Sequence, residues 1–280
     1  MAKTLIYKTE EGKREVLRYY ETLLLHWYSL SCQLNIETTL GKTFIIEGGK
    51  KEAPAILLLH GSGSNSSMWT ADIAELSKTY HVFSIDIIGE CGKSAENRPP
   101  FKSNNYSDWI LEIISQLKLN RVSIIACSLG GWIAIDFAIK HPEKIDKLVL
   151  LATAGVVQVK PATIFWIIIT SFTGDWGFGK LNRMVYGNLK IDNQALEYAM
   201  LIKKHYKPRA DLLPVLNNES LKKIKASVLF IGGENDCFYD AHKTATRLKE
   251  NIDTIRCFVL KDTGHVLINQ TNKILRFLKN

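Results

Sequence analysis

Three residues have side chains suited to acyl transfer, and each follows an apolar run. They are Ser128 in "SIIACSLGGW", Asp236 in "LFIGGENDCFYD" and His265 in "LKDTGHVLINQ". A serine hydroxyl is a poor nucleophile at neutral pH. An imidazole titrating near ~6.5 can take its proton and later return it to a leaving group. A carboxylate beside that imidazole fixes its tautomer and stabilises its charged form. Serine, acid, histidine is the chain order of one catalytic class. In that chemistry the serine attacks a carbonyl carbon, an acyl-serine forms, and water releases the acid.

The neighbours of Ser128 decide between two readings of its position. A serine in front of a helix also serves as an N-cap. A serine projected from a tight strand-to-helix turn needs small residues two before and two after it. Here those are Ala126 and Gly130. Alanine where glycine is usual adds one methyl. If Cys127 were the nucleophile, the same positions would hold the bulky Ile125 and Leu129, so the geometry selects Ser128.

A nucleophile of this kind needs two donors for the oxygen that becomes negative. "LLLHGSGSNSSMW", from Leu57 to Trp69, ends a buried run in His-Gly and continues through small residues. The backbone N–H groups of Ser62 and Leu129 are the expected donors, with Gly63 replacing Ser62 if the loop register differs. His60 precedes the turn and reads as a brace for the loop. Among other acids, Asp86 reads as the organiser of its own loop and Asp240 as the start of a helix. Asp262 precedes a glycine turn, and Glu234 is the nearest substitute for Asp236. The loop "ATAGVV" after the sixth strand offers no acid.

Positioning these residues takes strands and helices in alternation. Strand-like runs begin at Gln33, Thr43, Ala55, Val82, Val122, Lys147, Ser227 and Ile255. The first two are separated by "LGK", which suits a hairpin. The later ones are nearly continuous apolar runs, as expected of strands covered on both faces. Helical patterns span 69–78, 106–117, 129–140, 241–250 and 270–278. Alternation of this kind predicts an α/β protein with a mostly parallel eight-stranded sheet and right-handed crossovers. All three candidate residues then lie at the carboxyl ends of strands, where open sheets bind ligands. Residues 156–218 break the rhythm with helix-like spacing and read as a helical cap insertion. Its Trp166, Phe172 and Trp176, together with Gly63, are the candidate substrate pocket, with core packing the equal alternative for the aromatics. Residues 1–30 read as a helical extension, with the helix over 13–30. The whole, 1–280, reads as one domain.

Composition narrows the class. Of 280 residues, 46% are hydrophobic and 23% charged, as in an ordinary globular protein. The formal charge of +8 is spread over dispersed lysines, without the dense basic and aromatic patch of a nucleic-acid binder. The apolar run "TIFWIIIT" falls far short of the roughly 20 residues a membrane helix needs, so no stable membrane insertion is expected. Five scattered cysteines point to reduced thiols in the cytoplasm. No metal or other cofactor is expected, since the seven histidines show no paired spacing. "GECGKS" would end a phosphate-binding loop only with a glycine at position 87, which is Ile87. The sequence does not fix an oligomeric state.

With these motifs in view, the chain resembles the α/β-hydrolases. "HGSGS", "ACSLGG", "GGEND" and "DTGH" are similar to that family's oxyanion loop, nucleophile elbow, acid loop and histidine loop. "DIIGECGKS" is a stretched form of its Asp-x-x-Gly-x-Gly-x-Ser loop. That loop and the "GKTFII" strand are similar to bacterial carboxylesterase-like members. The resemblance implies the α/β-hydrolase fold, a Ser128–His265–Asp236 triad and hydrolysis of a small-molecule carboxylic ester. Carbon–carbon bond hydrolases, cofactor-free perhydrolases and hydrolase-fold ligand receptors share these motifs, so they stay open at this level. Relatives that open epoxides or displace halide carry an aspartate where this chain has Ser128.

Overall fold

The computed structural model describes residues 6–25, 31–171, 173–187, 189 and 192–280. The first helix, α1 (Glu10–Leu24), starts where the Thr9 side chain accepts from the Gly12 N–H. That cap sets its start three residues before the expected one. The expected end, 26–30, lies outside the described residues. The hairpin follows as β1 (Ser31–Thr38) and β2 (Gly41–Gly49), paired antiparallel in unbroken register.

Then the alternation begins: β3 (Ala55–Leu59), α2 (Thr70–Leu76), β4 (His81–Ile85), α3 (Asn105–Gln116), β5 (Val122–Cys127), α4 (Leu129–Lys140) and β6 (Ile145–Leu151). Three helices intervene: α5 (Pro161–Ser171), α6 (Gly174–Tyr186) and α7 (Asn193–His205). A four-residue helix, α8 (Asn218–Leu221), leads into β7 (Ser227–Gly233), α9 (Ala241–Asn251), β8 (Ile255–Leu260) and α10 (Thr271–Lys279). The eight strands form one open sheet in the order β1-β2-β4-β3-β5-β6-β7-β8, antiparallel only where β2 meets β1 and β4.

Period-two alternation divides the core between the two faces of the sheet. Leu57, Leu59, Ile124, Ala126, Leu148 and Leu150 pack on one face with Trp109, Trp132 and Leu248. Ile56, Leu58, Ile125, Val149 and Leu151 pack on the other with Val16, Ile73 and Ile274. The central strands are thus covered on both sides. Among the described residues, no helix is long and apolar enough to cross a membrane.

Candidate active site

Ser128 sits between β5 and α4 with φ 49° and ψ −110°, a left-handed conformation that a non-glycine residue holds only under strain. Three backbone bonds clamp it: its N–H donates to Leu151 O (3.0 Å), and its carbonyl accepts from Trp132 N–H (3.1 Å) and Ala154 N–H (3.2 Å). The need for a small residue at position 130 is visible in atoms. A Cβ there would stand 2.4 Å from Leu59 O and 2.6 Å from His60 O. Ala126 is tolerated because its methyl points into the packed face below the turn. Burial, aided by the Asp236 charge, pushes the Cys127 thiol up to about 12, so the rival nucleophile is protonated at neutral pH.

Asp236 and His265 meet directly. Asp236 Oδ2 accepts from His265 Nδ1 at 2.8 Å, and both residues are buried, 2% and 8% exposed. The other carboxylate oxygen accepts from the N–H groups of Phe238 (2.7 Å) and Tyr239 (3.2 Å). With Asp236 as acceptor, the neutral form of the imidazole carries its proton on Nδ1 and has Nε2 as its free base. Phe238 packs on the imidazole, ring centroids 4.6 Å apart. The two loops touch so closely that only glycine fits at 233: a Cβ there would lie 2.1 Å from Gly264 O. Ser128 occupies the same carboxyl edge, two strands away from Asp236.

The loop after β3 runs beside Ser128, and a Cβ on Gly61 would stand 3.5 Å from the Cβ of Ser128. His60 is fully buried, and burial lowers its pKa. Its Nε2 accepts from Ile87 N–H (2.8 Å), which leaves Nδ1–H to donate to Gly61 O (2.8 Å). In a trans peptide the N–H points opposite to the carbonyl, so the Ser62 N–H is turned away from the His60 ring. Gly63 N–H is already donated to the Glu90 carboxylate at 2.7 Å, which leaves Ser62 as the loop's candidate donor. Leu129 is the first residue of α4, where an N–H has no intrahelical acceptor. Gly130 N–H is taken by His60 O (3.1 Å).

Asp240 caps α9, as the sequence suggests. Asp86 does more than organise its own loop: it accepts from Lys93 N within that loop, and also from Tyr20 Oη of α1 and Ser66 N of the loop after β3. Of the aromatic pocket candidates, Trp166 is half-buried against Phe165 with the Lys180 ammonium over its ring, and Trp176 is 61% exposed. Phe172 lies outside the described residues.

Sequence reasoning missed how residues between β6 and β7 hold the three loops. Lys160 Nζ donates to Asp236 O (2.6 Å), and Thr163 Oγ1 to Cys237 O. Val185 O, near the end of α6, accepts from His265 N (2.9 Å). Tyr206, just after α7, reaches Glu90 beneath the Ser62–Gly63 loop. These partners carry no periodic or motif signal, and Glu90 was legible only as one letter of "GECGKS".

Comparison with known proteins agrees with this architecture. A profile described as "Alpha/beta hydrolase family" matches residues 56–273. The chain is 27% identical over 267 residues to the Bacillus subtilis "Uncharacterized carboxylesterase nap", covering 90% of this chain and 87% of that protein. It is 26% identical over 285 residues to the B. subtilis "Carboxylesterase YbfK", covering 96% and 95% respectively. The crystal structure of naproxen esterase (carboxylesterase NP) from B. subtilis superposes with a TM-score of 0.87 at 23% identity, over 97% of this chain and 99% of that one.

Proposed function

We propose that this chain, which belongs to the alpha/beta hydrolase family, is a serine esterase that cleaves a carboxylic ester through an acyl-enzyme on Ser128. The observation that carries the reading is the 2.8 Å Asp236–His265 bond, on the same carboxyl edge of the sheet as a serine held at φ 49°. In this mechanism His265 Nε2 takes the Ser128 proton as Oγ attacks the ester carbonyl. The N–H groups of Ser62 and Leu129 receive the oxyanion, each worth about 3 kcal/mol of barrier. His265 then protonates the departing alcohol, and water repeats the sequence to free the acid. The carboxylesterase names of the two B. subtilis relatives favour an ester over the carbon–carbon and perhydrolase alternatives. The charge-free helix α5 suits a small or medium apolar acyl or alcohol group.

The test is release of p-nitrophenolate from p-nitrophenyl acetate and p-nitrophenyl octanoate, wild type beside Ser128→Ala. Turnover that vanishes in the folded variant is expected, and the ratio between the two esters measures chain-length preference. Equal rates from both proteins would remove the serine-esterase reading.

A further inference from the structure

We infer that Glu90 is a positioning residue for the oxyanion-stabilising loop, holding Ser62 and Gly63 in the orientation that acyl transfer needs. The inference rests on the acyl-transfer reading above. Glu90 is a carboxylate only 2% exposed, in a turn of the loop after β4. One of its oxygens, Oε2, accepts from Gly63 N–H (2.7 Å), Tyr206 Oη (2.7 Å) and Ser62 Oγ (3.3 Å). A buried carboxylate is costly unless donors surround it, so this convergence is a built arrangement.

Beyond Gly63 the loop is tied again, where Ser64 O accepts from Cys91 Sγ (3.3 Å) and Asn65 Nδ2 donates to Cys91 O (2.8 Å). His60 fixes the Gly61 carbonyl, and with it the Gly61–Ser62 peptide. Glu90 fixes the next peptide through Gly63 N–H. Together they clamp the peptides on either side of Ser62. Without Glu90, Gly63, at φ +64°, would be free to turn its N–H toward the site in competition with Ser62.

Glu90 is itself held from the cap side. Burial and the Glu90 charge keep the Tyr206 phenol protonated, so it donates to the carboxylate. Arg98 secures Tyr206 by donating to its Oη (2.8 Å) while bonding Gly89 O (2.9 Å) and Lys207 O (2.7 Å). The chain Arg98, Tyr206, Glu90, Gly63 joins the segment after α7 to the loop beside Ser128.

The experiment compares wild type, Glu90→Ala, Glu90→Gln and Tyr206→Phe in ester hydrolysis and in inhibition by a boronic acid, which forms a tetrahedral adduct on a nucleophilic serine. Losing one oxyanion donor costs about 10²–10³ in kcat, and Glu90 acts at one remove. Glu90→Ala should therefore lower kcat about 10- to 100-fold, move KM less than about threefold, and weaken the boronic acid in parallel with kcat. Glu90→Gln keeps a carbonyl oxygen for the same three donors and should recover most of the loss. Tyr206→Phe should fall in the same direction by less. If Glu90→Ala fails to fold, Gln and Phe carry the test through the same parallel between kcat and boronic-acid affinity.

A Glu90→Ala protein with lower thermal stability but wild-type kcat would reduce Glu90 to a structural role. So would a kcat loss with unchanged boronic-acid affinity. If wild type itself is inert to both ester and boronic acid, the acyl-transfer reading falls and takes this inference with it. An active wild type with indifferent variants overturns this inference alone.

Discussion

Asp236 is fixed by three donors, and the identity of one of them gives it a chemical task. Its second oxygen is occupied by the N–H groups of Phe238 and Tyr239, so the carboxylate cannot swing away from His265. Replacing it with asparagine keeps the shape and removes the charge. Its amide N–H would then face Nδ1 and favour the tautomer protonated on Nε2, which cannot accept the serine proton. Asp236→Asn should lower kcat by about 10⁴ with its thermal midpoint nearly unchanged. A drop below about tenfold would move the acid role elsewhere, first to Glu234. The neighbouring thiol gives the complementary case. Since burial pushes the Cys127 thiol up to about 12, Cys127→Ala should keep ester hydrolysis within a few-fold of wild type.

At the scale of elements, the strand-to-helix turn is a steric lock between β3 and α4. Gly130→Ala places a methyl against two backbone carbonyls, at 2.4 and 2.6 Å, which cannot rotate aside. The elbow and the end of β3 must part. A loss of about 1–3 kcal/mol in urea unfolding at constant m is expected, together with reduced turnover, because His60 directly follows the displaced strand. A stable, fully active Gly130→Ala protein would show that the turn has room to relax.

This lock also explains what could be read from the residue string. β5 and α4 have the bounds their patterns predict, Val122–Cys127 and Leu129–Lys140, because apolar runs and small-residue spacing are local signals. The hydrogen-bonded Asp236–His265 pair was likewise anticipated from two loops that each close a strand. Glu90 was not, since its partners lie 27 and 116 positions away and no local period marks them. The bonds from Lys160, Thr163 and Val185 to the acid and histidine loops were hidden for the same reason. The start of α1 was misplaced because the Thr9 cap, a single side chain, outweighs the apolar spacing that suggested Lys13.

At the scale of the molecule, the site rests on a histidine that is buried and neutral. His60 joins β3, the loop beside Ser128 and the loop carrying Asp86 and Glu90, through one donated and one accepted hydrogen bond. Burial lowers its pKa from 6.5. In the unfolded chain the imidazole titrates near ~6.5, so as pH falls through that value the unfolded state binds a proton that the folded state refuses. Stability from neutral His60 is therefore fully present above ~6.5 and is lost as pH falls toward its folded value. A single group can contribute at most about 1.4 kcal/mol per pH unit. The formal charge of +8 grows more positive over the same range, and self-repulsion lowers stability in the same direction. Salt separates the two, because it screens surface repulsion but not the proton uptake of a buried ring. The thermal midpoint should fall between about pH 7.5 and about pH 5.5 at high salt. His60→Asn should be less stable at the upper pH and show a flatter slope. An unchanged slope in that variant would leave His60 as a brace alone.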